Sequence, residues 1–540
     1  MRIVAIREKE SIKRGHLGGV NKRRMETTKV PQVSSKESKP ESLKHYWYPS
    51  HSVVVDQRAA AKHRGVWALS LLTVAASLAA AVLVTVKDRN LPEGLVEFVT
   101  QTHVLHGYAV DGQLLVLGMA VAAAGVLGVA RVLCWVVARK NQPVYLVDFS
   151  VLYPPDTMKM SKELFVTQSK ATGRFSDEML AFQERLVYRT GLGDETYLPR
   201  SFVVDNPSHA SMALAREEAL DTITGCCDDL FNKTGVHPRE VDFVVCNCSL
   251  FCPTPSMASM IMNHYKMRSN VKNYQLGGMG CSAGLISIDL ARDLLRTYPN
   301  STVLVFSTEN ITMNWYGGDV KGMLLSNTLF RVGGAAILLS NKPCFAARAK
   351  YQLVTTVRVN NAASDEAYHA IFQQEDAHKQ RGVKISRELS AQVNTALTKN
   401  FAILGRRILP LTEKIRFVLS LLWKRLGLSS TTYVPNFMSA AEHICIHAGG
   451  RAIIDGMETT LRLSDDDCMP SRATLYRFGN TSSSSVWYEL NYIEGRGSMR
   501  RGDKTIQVAF GSGIKCNSVV WRALHTIPPV SDLPKVFSWR

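Results

Sequence analysis

Cysteine is scarce in this sequence: 11 residues in 540, scattered, with no spacing that suggests a disulfide framework. Scattered thiols point to a reducing compartment, in which one of them can be reactive. Acidic residues fall short of basic ones, 46 against 64, which leaves a formal charge of +18 with His neutral. That balance favours anionic partners: nucleic acid, phosphorylated small molecules or an anionic membrane face. Glycine (36) and proline (20) are too few for a collagen-like or low-complexity chain, and a hydrophobic content of 46% excludes a mostly disordered one. No apolar run begins early enough to read as a secretory signal, and no short-period repeat is visible. What is present is length for two to four domains, or for one large doubled domain with additions.

The N-terminal part divides into a tail and two apolar runs. Residues 1–64 contain 15 Lys/Arg and 6 Asp/Glu and show no apolar period over Val30–Pro49, so they read as a disordered, solvated basic tail. The cluster Lys22-Arg23-Arg24 fits that reading better than a nucleic-acid site, and no nucleic-acid partner is expected. Gly65–Val86 is 22 residues without a charge, long enough to cross a bilayer core. Leu114–Ala138 is 25 residues with one charge, Arg131, near an end from which its stem can snorkel. The connecting segment Lys87–Gln113 has only Lys87 and Arg89 as basic residues, whereas Arg139-Lys140 follow the second run. Charge asymmetry therefore predicts a transmembrane hairpin over 65–138, with tail and body cytosolic and a short lumenal connection. In that topology the five Asn-x-Ser/Thr sequons, at Asn232, Asn247, Asn300, Asn310 and Asn480, never meet the lumenal glycosylation machinery.

Beyond residue 140, short β-branched runs alternate with helical stretches, which predicts a layered α/β body. Strands are expected at 241–248, 302–308, 334–339, 443–446, 505–510 and 518–522, and helices at 217–233, 282–297, 387–400, 411–426 and 451–462. The first chemical motif is G-G-M-G-C-S-A-G, Gly277–Gly284. A strand, a tight glycine turn and a helix start would place Cys281 at a helix N-terminus. There the positive end of the helix dipole favours thiolate, and glycines such as Gly280 let a carbonyl substrate come close. The second motif is H-I-C-I-H-A-G-G-R-A, His443–Ala452, where a strand meets the Gly449-Gly450 turn and a helix. Alternation would put His443 and His447 on one face, but no thiolate or carboxylate stands at zinc-motif spacing, so no metal site is expected. The third is R-F-G-N-T-S-S-S-S, Arg477–Ser485, whose hydroxyl run can cap the next helix. Cys246, Cys248 and Cys252 read as packing residues.

Together these motifs resemble the plant membrane-bound 3-ketoacyl-CoA synthases, the condensing enzymes of very-long-chain fatty acid elongation. The resemblance runs from Val144 (V-Y-L-V-D-F) to Trp521. It includes N-C-S-L-F-C-P-T-P-S-M-A-S-M-I (Asn247–Ile261), S-T-E-N-I-T (Ser307–Thr312), L-F-R-V-G-G-A-A (Leu329–Ala336) and A-F-G-S-G-I-K-C-N-S (Ala509–Ser518). It implies a thiolase-like, five-layered α-β-α-β-α body of two similar halves, 141–345 and 346–540, behind two transmembrane helices. It also implies a catalytic set of Cys281, His447 and Asn480, with His447 as a cation beside a Cys281 thiolate. Backbone donors at Cys281 and at Gly511-Ser512-Gly513 form the oxyanion sites, supported by His443, Gly280, Gly449 and Gly450. The implied reaction is decarboxylative condensation of malonyl-CoA with a long-chain acyl-CoA. It needs no cofactor or metal, and both CoA thioesters are substrates. The implied setting is a homodimer in the endoplasmic reticulum membrane, in contact with lipid and with the reductase and dehydratase of an elongase complex.

Two rival readings remain at this level: a soluble chalcone-type polyketide synthase with the same chemistry, and an idle scaffold of the elongation complex. Tyr476, Arg358-Val359-Asn360 and Cys252 depart from the family pattern without touching the three core residues. Arg451, Arg496, Arg500, Arg501 and Lys515 are candidates for CoA phosphates by charge alone. Residues 411–426 read either as a core helix or as a helix lying on an anionic membrane surface.

Overall fold

The computed structural model describes residues 142–203 and 210–529, together with residues 118 and 120–132. The expected tail and first span lie outside the described residues, as do both ends of the second span, within which residues 120–132 are helical. Among the described residues no helix is long and apolar enough to cross a membrane. The chain divides into two units, Met1–Gly128 and Val129–Arg540, and the second carries the described α/β architecture.

Nine strands form one mixed sheet. They are β1 (Tyr145–Val151), β2 (Phe243–Asn247), β3 (Lys272–Leu276), β4 (Thr302–Thr308), β5 (Gly334–Ser340) and β6 (Tyr351–Asn360). After a separate hairpin, β7 (Ile371–Glu375) and β8 (Arg381–Ile385), come β9 (His443–Ile446), β10 (Lys504–Gly511) and β11 (Lys515–Ala523). The order across the sheet is β9-β10-β11-β6-β1-β5-β4-β2-β3. In the first half β2 runs parallel to β3 and β4, while β4–β5 and β5–β1 are antiparallel. In the second half β9–β10 is parallel, while β10–β11 and β11–β6 are antiparallel. The same order and polarity thus occur twice, except that among the described residues the second half has no counterpart of edge strand β3. The first strands of the two halves, β1 and β6, join them through a short antiparallel pairing of Tyr145 with Gln352 and Leu146 with Tyr351.

The helices include α1 (Met212–Thr234), α2 (Ala283–Thr297), α3 (Leu389–Ile408), α4 (Leu411–Arg425), α5 (Arg451–Leu461), α6 (Asp465–Phe478) and α7 (Ser485–Gly495). α2 and α7 each touch strands of both halves. Both bury side chains on more than one face, as a helix packed between two layers must. α2 buries Leu285, Ile286, Ile288 and Leu295 on several faces. In α7 the fully buried Trp487 lies 5.6 Å from the Phe149 ring of β1 and 6.3 Å from the Trp521 ring of β11, measured between centroids. α1 packs on β1 and β5, and α3 packs on β6 and β11, so helices cover the outer side of each half-sheet.

The expected α2, α4 and α5 fall within a residue of their observed limits, whereas α1 starts earlier and α3 ends later than their apolar patterns suggest. Strands β1, β6, β7 and β8 and helix α6 were not expected from pattern, while β3 and α7 were expected only as the strand before the Cys281 turn and the helix after the hydroxyl run. β3 is Lys-Asn-Tyr-Gln-Leu, a polar sheet edge. α6 contains Pro470, yet its start carried a readable signal, the capping box between Ser464 and Asp467.

Candidate active site

The carbonyl ends of parallel strands gather at one place. Ser249 and Leu250 follow β2, Cys281 follows β3 and Glu309 follows β4; His447 follows β9 and Ser512 follows β10. In α/β sheets this end collects free backbone groups and helix N-termini, and ligands bind there. All of these residues, with Asn480, line a single cavity of about 680 Å³.

Cys281 stands between β3 and α2, as the glycine turn predicted. Gly280 has φ +69°, and a side chain there would overlap the Ser512 amide nitrogen. A side chain on Gly511 would overlap the Met279 carbonyl oxygen and Ser282 Oγ. The cysteine turn of the first half and the β10–β11 turn of the second therefore meet backbone to backbone. Two glycines allow a contact that no side chain would permit.

The electrostatics differ from expectation. Burial pushes the Cys281 thiol up to about 12; the Ser482 hydroxyl, 3.6 Å from Sγ, pulls it down, and the Glu309 carboxyl pushes it up. Burial likewise takes His447 down to about 4. The resting pair is therefore neutral, not the thiolate and imidazolium expected from sequence, because desolvation outweighs the helix terminus. The imidazole tautomer follows from its partners. Nδ1 lies 2.5 Å from Ser485 Oγ, which donates its one hydrogen to the Ser482 carbonyl 3.1 Å away. With the Ser485 hydrogen so directed, Nδ1 carries the ring proton and Nε2 presents a lone pair.

Asn480 is oriented by both edges of its amide. Oδ1 accepts from the Ser482 N–H at 2.9 Å, and Nδ2 donates to the Gly449 carbonyl at 3.3 Å. Its backbone joins the first half: Asn480 N–H donates to the Leu329 carbonyl at 3.1 Å, and the Arg331 N–H donates to the Asn480 carbonyl at 2.9 Å. Gly450, between β9 and α5, has φ +146°. The cavity also takes apolar walls from both halves, including Leu325, Leu329, Phe372, Val383 and Val393. Of the basic candidates, Arg451 and Lys515 line it, whereas Arg496, Arg500 and Arg501 do not. Arg189 and Arg387 also line it, and nothing in their local sequence marks them.

Residues 136–426 match the family model described as FAE1/Type III polyketide synthase-like protein, and residues 411–525 match that of the chalcone and stilbene synthases, C-terminal domain. The chain belongs to the FAE1/Type III polyketide synthase-like family. Among its relatives in Arabidopsis thaliana, "3-ketoacyl-CoA synthase 11" is 50% identical over 394 residues, covering 73% of this chain and 77% of the relative. "3-ketoacyl-CoA synthase 4" is 49% identical over 399 residues, 74% of this chain and 77% of the relative. Among solved structures, the C-terminal type III polyketide synthase domain of Steely1 from Dictyostelium superposes with a TM-score of 0.56 at 16% identity. It covers 71% of this chain and 99% of that domain. That likeness establishes the thiolase-like α/β fold for this family member.

Several expectations need correction. His443 does not line the cavity; its Nε2 lies 3.4 Å from Asp503 at the opposite end of β9, which carries it away from His447. The hydroxyl run does not cap α7, because Ser484 makes no side-chain cap bond. Instead Ser482–Ser484 form a buried 3-10 turn, and the next residue, Ser485, holds His447. Cys246 and Cys248 are buried, as packing predicts, but Cys252 is exposed. The departures Arg358, Asn360 and Tyr476 do not line the cavity.

Glu309 was missed. It sits in S-T-E-N-I-T at the end of a buried strand, a place where an unpaired carboxylate is costly, and that was its signal. It accepts from the Leu250 N–H at 2.9 Å, Ser482 Oγ at 3.0 Å and Cys248 Sγ at 3.2 Å, and burial raises its pKa. Ser482 joins Glu309 to Cys281 from a left-handed backbone, φ +55°, a strain that the surrounding structure must impose.

Proposed function

We propose that this protein is a very-long-chain 3-ketoacyl-CoA synthase that condenses malonyl-CoA with a long-chain acyl-CoA. The observation that carries the proposal is one cavity in which Cys281, His447 and Asn480 meet between apolar walls and basic side chains. Nε2 of His447 accepts the Cys281 proton as Sγ attacks the acyl-CoA carbonyl. CoA leaves as a thiolate that solvent protonates, so the acyl-enzyme forms with the proton still on His447. Malonyl-CoA then binds with its thioester oxygen against Nε2–H and the Asn480 amide. These donors stabilise the enolate left when CO2 departs. The enolate carbon attacks the acyl-Cys281 carbonyl, 3-ketoacyl-CoA is released, and the Cys281 thiolate recovers its proton from His447. Backbone N–H groups at Cys281 and Ser512 are assigned to the tetrahedral oxyanion. No step calls for a cofactor or metal.

The same reading extends to the setting. Spans at 65–86 and 114–138 would tether the body to the cytosolic face of the endoplasmic reticulum, beside the reductase and dehydratase that consume its product. Strand β3 ends the sheet among the described residues, and an edge strand of this kind supports a homodimer.

Labelled acyl-CoA followed by malonyl-CoA tests the division of labour. Cys281→Ser should bind no label and form no product. Asn480→Ala should load normally but lose about 10²–10³ in CO2 release, by oxyanion-donor precedent. A folded Asn480→Ala protein that fails to load, or that decarboxylates at the wild-type rate, overturns the assignment. A product extended by more than one condensation and then cyclised would instead favour the polyketide synthase reading.

A further inference from the structure

Helix α4 is built inside out. Its sole buried residue is Glu413, whose carboxylate accepts from the Tyr433 hydroxyl, the Asn436 N–H and Arg416 Nη1, each at 2.8 Å. Ser420, also on this inward side, accepts from the Tyr433 N–H at 3.1 Å. Polar groups thus fasten the helix to the body, and the apolar residues face out. Leu411, Ile415, Val418, Leu422 and Leu426 follow one another at steps of four, three, four and four, which is a single helix face. They are 49–70% exposed, with Trp423 beside them at 52%. Among the described residues, no other helix or strand packs extensively on α4. Exposed apolar surface on this scale marks an interaction site.

We propose that α4 lies flat in an anionic lipid surface, its apolar face sunk to the headgroup–acyl boundary. Charge complementarity selects this occupant. Lys414, Lys424 and Arg425 share the helix, and Arg406 stands in the last turn of α3 just before it. Cations on long stems reach phosphates while the stems lie along lipid, and Trp prefers that boundary. The apolar run that ends at Ala138, shortly before β1, brings a bilayer within reach if it spans. The inference does not depend on the chemistry proposed for Cys281.

Full-length protein reconstituted into vesicles of phosphatidylcholine and phosphatidylserine, with brominated acyl chains as quencher, tests it. Trp67 and Trp135 lie in the expected spans and should be quenched in every variant. The wild type should show an additional quenched component that Trp423→Phe removes, and that the paired variant Val418→Asp with Leu422→Asp also loses. That pair is exposed, so the circular dichroism spectrum and melting temperature should be unchanged and serve as the folding check. The component should shrink when phosphatidylserine is omitted. Equal quenching of wild type and Trp423→Phe overturns the inference, as does cross-linking of two copies through Leu422→Cys, which would make the face a contact between subunits. An Asp pair that still quenches overturns it as well, and a component indifferent to phosphatidylserine overturns its anionic part. Absence of quenching from the span tryptophans would instead sink the spanning reading.

Discussion

Cys281 and His447 share a cavity whose burial keeps both neutral, pushing the thiol up to about 12 and the imidazole down to about 4. The consequence is a nucleophile that is activated when the substrate arrives, not stored as an ion pair. Nε2 is free to take the proton because Ser485 holds the other ring nitrogen. A thiol with a raised pKa is mostly protonated at neutral pH, and its thiolate fraction grows tenfold per pH unit until that pKa is reached. In the free enzyme, alkylation of Cys281 by iodoacetamide should therefore climb steadily from pH 6 to pH 9, read by mass spectrometry of its peptide. A rate already level at pH 6 would mean a preformed thiolate, and the neutral-pair account would fail. Part of this was legible in sequence, since glycines before Cys281 and a helix after it fixed its location. Its protonation state was not, because desolvation depends on every wall of a cavity that five strand ends build.

Two turns from opposite halves touch through Gly280 and Gly511, and their contact sets where the Cys281 and Ser512 amides point. Gly511→Ala would drive a methyl into Met279 O and Ser282 Oγ. The turns must part, and a displacement of about 1 Å at a reacting centre costs on the order of 10² in rate. Acyl loading by the Gly511→Ala enzyme should fall by that factor, with a lower melting temperature. Gly456 provides the opposite case: it lies within α5 and a Cβ there meets nothing within 4 Å. Gly456→Ala should raise stability by about 0.5–1 kcal/mol through helix propensity, without changing turnover. If both substitutions behave alike in melting and loading assays, the close-approach argument is wrong. The glycine motifs were visible in the sequence, but their partners lie more than 200 residues apart in the chain.

Both halves contribute to the site, and α2 and α7 lock them together through rings such as Trp487 between Phe149 and Trp521. Neither half is expected to fold into an active unit alone. The proposed topology belongs at this scale. Asn247, Asn310 and Asn480 are buried, which is what a body never offered to glycosylation can tolerate. In sealed microsomes, tags at both termini should be digested by added protease, and no sequon of the body should carry glycan. A protected tag or a glycosylated body would reverse the orientation.

The sequence by itself determined the elements that recur with clear period, the family, and the three residues that meet in the cavity, because turn glycines, strand ends and helix starts are local. It could not separate His443 from His447, since the two share a strand pattern and only the sheet decides which end faces the cavity. It could not rank the basic residues; Arg189, Arg387, Arg451 and Lys515 come together only when distant turns converge. Glu309, Ser482 and Ser485 form a second layer around Cys281 and His447, and their roles come from hydrogen bonds between segments far apart in the chain. For α4 the apolar and basic pattern fitted both a core helix and a surface helix. Which side turns inward was decided by Glu413, because a buried carboxylate needs the donors that Tyr433, Asn436 and Arg416 supply, and only the tertiary structure provides them.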